Sequence, residues 1–119
     1  AVWYKFRVPS NWTTDNWFGL KVGVLENDRS SVATLLSADV WPPTGWGDVT
    51  VLQTADSTTG FDMQVGPGVP RPSGGFFYFG FGSNAEGRDT DRRFTMTWHF
   101  EPAAAVDAPS FEASVQVRA

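Results

Sequence analysis

The sequence predicts an all-β fold, an antiparallel two-sheet β-sandwich or jelly roll of about eight strands. Three observations predict it. Apolar and polar residues alternate with a period of two along most of the chain, clusters of turn-forming residues separate the alternating stretches, and no window of 11 or more residues shows the 3.6-residue period of a helix. Short strands separated by polar turns are typical of sandwiches and jelly rolls.

The chain has the length of one domain. A protein of 119 residues buries roughly 65% of the surface that its unfolded form exposes, which is enough for a core without disulfides or metals. We therefore predict a single β-sandwich domain at residues 1–119. Because a strand-like pattern begins at Val2, directly after Ala1, we expect the domain to be excised from a longer polypeptide.

Alternation of apolar and polar residues marks the strands in order. In the seventh stretch, Phe94, Met96 and Trp98 point to one face, and His99 points to the opposite face. Residues 76–81 are apolar on both faces, which indicates a central strand. The eight expected strands lie near residues 2–8, 18–24, 32–36, 49–51, 61–65, 76–81, 94–100 and 111–117.

The charge and the apolar runs argue against two classes of partner. The net charge is −4, and arginines cluster only at Arg88, Arg92 and Arg93. An acidic domain repels phosphate backbones, so we expect no nucleic acid binding at this domain. No apolar run approaches the roughly 20 residues that span a bilayer as a helix, and we expect no membrane insertion.

The residues that perform most enzyme chemistry are scarce. The chain has no cysteine and one histidine, His99, and it has no Gly-x-Ser-x-Gly motif. Zinc coordination and Ser-His-Asp catalysis are therefore disfavoured. The thirteen Asp and Glu residues allow many chance pairs, so a carboxylate pair alone does not indicate a glycosidase. We expect no catalytic residue, no cofactor and no enzymatic activity.

Asp89-Thr90-Asp91 is the segment that most resembles a metal motif. Two carboxylates spaced two residues apart in a turn can both face a calcium ion. Arg88, Arg92 and Arg93 flank them, which favours a charge-balanced hairpin loop. We predict no metal site, with calcium binding at Asp89 and Asp91 as the alternative.

Two polar connections, residues 11–17 and 39–48, each carry two of the six tryptophans. Loop tryptophans beside Asp and Asn are suited to stack on sugar rings while carboxylates and amides bond the hydroxyls. The same rings can anchor a protein–protein interface. Alternatively, Trp41 and Trp46 cap the open end of the sandwich and are mostly buried. The candidate binding residues for a glycan or protein partner are Trp12, Trp17, Trp41 and Trp46.

Two late segments carry a resemblance to a known family. These are Pro-Ser-Gly-Gly-Phe-Phe-Tyr-Phe-Gly-Phe at 72–81 and Arg-Arg-Phe-Thr-Met-Thr-Trp-His-Phe at 92–100. The pattern from Trp3 to Phe100 resembles the protruding domain of capsid proteins from small positive-strand RNA viruses of the nodavirus and tombusvirus kind. Within this group, the pattern most resembles the protruding domain of shrimp-infecting nodaviruses.

The resemblance implies a non-enzymatic domain on the virion surface. Such a domain self-associates, as a dimer in the first instance, into surface spikes and attaches to the host cell through a receptor or glycan. The alternative is a secreted carbohydrate-binding module with a Trp-lined glycan site. Both interpretations predict a binding surface rather than a catalytic centre.

Overall fold

All the regular elements of the described chain are β-strands. The computed structural model describes residues 2–25, 31–39, 49–83, 93–101 and 112–116. The eight strands are β1 (Val2–Arg7), β2 (Trp17–Val24), β3 (Ser31–Ala38), β4 (Val49–Ser57), β5 (Gly60–Val65), β6 (Phe76–Ser83), β7 (Phe94–Glu101) and β8 (Glu112–Gln116).

The strands form two antiparallel sheets. Five strands lie in the order β4-β3-β6-β1-β8, and three lie in the order β5-β2-β7. The paired strands run antiparallel throughout. The prediction of an all-β, antiparallel two-sheet sandwich of about eight strands is confirmed, and so is the central position of β6.

Side chains from the inner faces of both sheets form the core. Along β2, Phe18, Leu20 and Val22 are buried and alternate with more exposed residues. Each fully buried large apolar side chain contributes about 1.5–3 kcal/mol, so the sheet interface is the main stabilising feature. The largest fully buried side chains of this core are Phe6, Phe18, Phe77, Phe79, Leu20, Leu35 and Met63.

The outer faces of the two sheets differ. On the five-stranded sheet, Leu36, Ala38 and Tyr78 form a second buried cluster, with Trp3 and Phe76 packed against it. This cluster explains why β6 is apolar on both faces. The outer face of the three-stranded sheet instead carries exposed polar side chains of β5 and β7, which alternate along each strand with the apolar residues of the inner face.

Trp98 lies at the rim of the core rather than inside it. Its ring contacts the ring of Phe6 at 5.4 Å between centroids, so the predicted inward direction is correct. The side chain is nevertheless 36% exposed, because β7 is an edge strand and has a paired neighbour on one side only. The alternating pattern did not reveal this partial exposure.

Candidate binding face on the three-stranded sheet

Antiparallel register places a set of mostly polar residues on the outer face of the three-stranded sheet. In the central strand β2, Lys21 lies opposite Asp62 of β5 and opposite Thr97 of β7. Every second residue on each strand shares this face. We call it the binding face; it comprises Trp17, Gly19, Lys21, Gly23, Gly60, Asp62, Gln64, Thr95, Thr97, His99 and Glu101.

An aromatic group occupies one end of the binding face. Trp17 is half-buried, and its ring lies 5.3 Å from the ring of His99 between centroids. A Cβ atom on Gly19 would approach the Trp17 ring to 3.1 Å, so the glycine allows this ring to lie against the sheet. His99 Nε2 and Glu101 Oε2 are 3.2 Å apart. At this end of the face, the Trp17 ring therefore lies against the sheet at Gly19 and beside the His99 ring.

A shallow groove occupies the other end of the binding face. It has a volume of about 440 Å³ and is lined by residues of β2, β5 and β7 alone, including Lys21, Asp62, Thr95 and Thr97. A Cβ atom on Gly23 would lie 2.8 Å from Thr95 Oγ1, so the absence of a side chain there makes room for the threonine hydroxyl. The glycines of the face therefore create the space that the polar groups surround.

The charged groups of the groove are available to a ligand. Lys21 and Asp62 are exposed and face each other across the β2–β5 pair. Among the residues that the structure describes, neither side chain forms a hydrogen bond or an ion pair. His99 and Glu101 are 55% and 57% exposed, and a side-chain contact this exposed holds its partners weakly. A bound molecule can therefore recruit these groups without breaking a strong internal contact.

A hydrogen-bonded turn fixes the start of β2 and hence Trp17. The backbone N–H of Asn16 donates to the Thr13 carbonyl at 3.0 Å, and the Asn16 Oδ1 accepts from the Thr13 N–H at 2.6 Å. The Gly68 N–H donates to the Thr14 carbonyl at 2.7 Å, which joins this turn to the β5–β6 connection. The Thr and Asn residues of this polar connection are the types that favour such local turns.

Gly66 allows the β5–β6 connection to approach this turn closely. Its φ of 86° lies in the left-handed region, where glycine is favoured. A Cβ atom at this position would lie 2.5 Å from the Asn16 carbonyl oxygen. The contact lies directly before Trp17, so Gly66 helps to set where the aromatic end of the binding face begins.

Trp12 belongs to the core, and the prediction that it is a binding residue is corrected. Its side chain is 6% exposed. The ring contacts Phe77 at 5.5 Å and Phe100 at 6.2 Å in edge-on geometry, and Nε1–H donates to the Val69 carbonyl at 2.8 Å. Because Phe77 and Phe100 come from different sheets, Trp12 closes one end of the sandwich and has no free ring face for a ligand.

The four predicted tryptophans do not form one described site. Trp17 lies on the outer face of the three-stranded sheet, whereas Trp12 lies between the sheets. Trp41 and Trp46 lie outside the described residues, and so does the Asp89-Thr90-Asp91 segment. Of the predicted binding residues, Trp17 is thus the member that the structure places on a described, partly exposed surface.

Most of the polar residues around Trp17 were not predictable as site residues from the sequence. Lys21, Asp62, Thr95 and Thr97 each occupy the polar position of an alternating strand, which is also the common pattern of any solvated strand. A usable signal was present in β2, where Gly19 and Gly23 alternate with buried apolar residues. Its meaning depends on the neighbouring strands, which local patterning does not identify.

Neither metal ligation nor similarity to known proteins assigns a role to this face. Among the described residues, no group of three or more His, Cys, Asp or Glu side chains is placed to hold a metal ion. The described part of the chain contains no helix that is long and apolar enough to cross a membrane. No protein-family description, no curated protein and no solved structure matches the chain. The chemistry of the face itself is therefore the basis for its function.

Proposed function

We propose that this domain is a non-enzymatic recognition module that binds a glycan on the binding face. The observation that carries the proposal is a half-buried tryptophan ring, Trp17, on the same sheet face as an open groove whose charged side chains form no hydrogen bond or ion pair among the described residues. Aromatic rings stack on the apolar faces of sugars, and carboxylate, ammonium and hydroxyl groups bond sugar hydroxyls. The sequence predicts this carbohydrate-binding function as the alternative to a capsid domain, and in the structure strand residues take the place of most of the loop tryptophans.

The composition of the binding face favours a glycan over a protein partner. Protein interfaces depend on central apolar and aromatic anchors in dry, well-packed contacts. The exposed large hydrophobic residues of the described chain are Leu25, Val51 and Trp98, and none of them belongs to the binding face. A surface with one aromatic ring, several hydrogen-bonding groups and a glycine floor suits a polar ligand with a ring.

The test compares two tryptophan variants with the wild-type domain. Trp17→Ala removes the stacking ring, and Trp98→Ala is the matched control because Trp98 is also partly exposed but points to the inner side of the sheet. Plant, microbial and animal glycans are screened on an array, and hits are measured by calorimetry and by quenching of tryptophan fluorescence. Circular dichroism verifies that both variants are folded.

We expect wild type and Trp98→Ala to bind the same glycans with similar affinity. Trp17→Ala should lose about tenfold or more in affinity, which corresponds to about 1.4 kcal/mol, and should lose the fluorescence quenching. Equal binding by Trp17→Ala and wild type contradicts the assignment of this face. An array without any bound glycan contradicts the function itself.

The capsid protruding domain stays a prediction, and the edge strand β4 supports the self-association that it requires. β4 is a nine-residue strand at the edge of the five-stranded sheet. Residues 49–55 carry no charge or proline, and Val51 is 51% exposed. Edge strands without such protection tend to pair with another strand.

Sedimentation measurements test this second candidate. We expect a concentration-dependent dimer for the wild-type domain and a monomer for Val51→Lys, because a lysine on an edge strand opposes pairing with a second copy. Thr95→Lys is the control, since Thr95 is exposed on the edge strand β7 of the other sheet. A wild-type domain that remains monomeric at high concentration contradicts self-association through β4.

A further inference from the structure

We infer that the binding face takes an extended, uncharged oligosaccharide that lies along β2, rather than a single terminal sugar. The inference rests on the proposed function and specifies the ligand class of the same site. It follows from three features: the distance between the two ends of the face, the lack of obstruction between them, and the balance of charge.

The two ends of the binding face are too far apart for one sugar ring to contact both. The Trp17 ring lies over Gly19, and Gly23, at the far end of the groove, lies four residues farther along β2. An antiparallel strand rises by about 3.4 Å per residue, so the ring and the far end of the groove are roughly 14 Å apart. A pyranose that stacks on the Trp17 ring covers an area comparable to one aromatic ring. Contact with both the Trp17 ring and the far end of the groove at Gly23 and Thr95 therefore requires more than one linked sugar.

The path between the two ends is open. The Trp17 ring lies over Gly19, and beyond it Gly23 and Gly60 form the floor of the groove without side chains of their own. The Gln64 side chain is held toward the end of its strand, because its Nε2 donates to the Gly66 carbonyl at 3.1 Å. The groove is lined by β2, β5 and β7 alone, so no other described segment forms a wall across it. A pocket for a terminal sugar is closed by such a wall, whereas an oligosaccharide that continues along the face requires an open groove.

The charges of the face favour an uncharged ligand. Asp62 and Glu101 carry two carboxylates, and Lys21 carries one ammonium group; Lys21 lies opposite Asp62, whereas Glu101 lies opposite Trp17 at the other end of the face. The chain as a whole has a net charge of −4. A sulfated or carboxylated glycan would gain one attraction at Lys21 and meet repulsion from both carboxylates and from the surrounding field. A neutral glycan bonds the same groups through its hydroxyls without this repulsion.

The experiment measures affinity against ligand length by calorimetry. The probes are neutral gluco-, manno-, xylo- and chito-oligosaccharides of increasing length, together with oligogalacturonides and heparin fragments as anionic probes. Trp17→Ala and Thr95→Ala remove side chains at opposite ends of the face. Asp62→Asn with Glu101→Gln removes the negative charge and keeps the side-chain shapes.

We expect the affinity of the wild-type domain for one neutral series to rise by about tenfold or more with length and to level off once the chain spans both ends. Trp17→Ala and Thr95→Ala should each weaken binding of the longest ligand, whereas only one of the two variants should weaken binding of the single sugar. The charge-removing pair should improve binding of the anionic probes.

Two results overturn the inference and leave the proposed function intact. One is a single sugar that binds as tightly as the longest oligosaccharide through Trp17. The other is an anionic probe that binds wild type more tightly than any neutral ligand does. Failure of all glycans to bind wild type overturns the proposed function as well, so the same measurements distinguish failure of the inference from failure of the proposed function.

Discussion

Replacing Trp12 by alanine tests whether this tryptophan stabilises the core, as the structure indicates, or binds a ligand. Its ring contacts Phe77 of the five-stranded sheet and Phe100 of the three-stranded sheet, and its indole N–H bonds the Val69 carbonyl. Alanine removes both ring contacts and leaves a cavity where the two sheets meet. It also leaves the Val69 carbonyl without this donor.

The expected loss of stability is large. Replacing a buried Trp by Ala costs about 3–5 kcal/mol, and a carbonyl left without a donor in a partly buried site accounts for about 1 kcal/mol or more of such a loss. A domain of this size has a total stability of about 5–15 kcal/mol, so Trp12→Ala approaches the limit of folding. Trp12→Phe keeps a ring but loses the hydrogen bond, and we expect it to cost about 1–3 kcal/mol.

Urea unfolding followed by far-UV circular dichroism measures these losses, because tryptophan fluorescence itself changes in the variants. Trp17→Ala is the control, and we expect it to cost well below the loss in Trp12→Ala, since Trp17 lies on the outer face. Trp12→Phe should bind glycans as the wild type does. A loss below about 1 kcal/mol in Trp12→Ala, or a loss equal to that of Trp17→Ala, would refute the assignment of Trp12 to the core.

Two further predictions concern backbone conformation and alkaline pH. In urea unfolding, Gly66→Ala should lower the free energy of unfolding by about 1 kcal/mol or more beyond the loss caused by the control Gly68→Ala. Both glycines have positive φ, but a Cβ at Gly66 meets the Asn16 backbone, whereas a Cβ at Gly68 meets nothing within 4 Å. Equal losses in the two variants would contradict the close approach at Gly66. Burial raises the pKa of Tyr78 and of Tyr4 above 10.0. Their contribution to the free energy of unfolding is therefore fully present below about pH 10 and decreases as the pH rises, because these tyrosines ionise at a lower pH in the unfolded chain than in the folded domain. Tyr78→Phe should flatten this decrease, measured as the free energy of unfolding against pH, and an unchanged pH dependence would argue against the burial of that hydroxyl.

The inward and outward positions of the strands were predictable from the sequence. In β7, alternation predicted that His99 faces away from Met96, and His99 indeed lies beside Trp17 on the outer face. In β6, apolar residues on both faces predicted a central strand, and β6 lies in the middle of the five-stranded sheet. These predictions succeed because the pleat of a strand turns successive side chains to opposite faces whatever its neighbours are.

The different roles of Trp12 and Trp17 were not predictable in the same way. Both tryptophans lie in or beside one polar connection, and their local sequences are similar in character. The turn at residues 13–16 separates them, so that Trp12 packs between the sheets and Trp17 begins a strand. The partner residues Phe77 and Phe100 are distant in sequence, so burial of Trp12 depends on contacts that form only in the folded domain.

The amino-acid pattern by itself determined that this chain forms β-strands, where most of them lie and which side chains face inward, because these properties arise within a single strand and its turns. The tertiary structure decided the strand order, which places β2 between β5 and β7, and thereby brought Lys21 beside Asp62 and Thr97. Strand pairing reflects the packing of the whole core and joins segments far apart in the chain. The binding face is a product of that pairing.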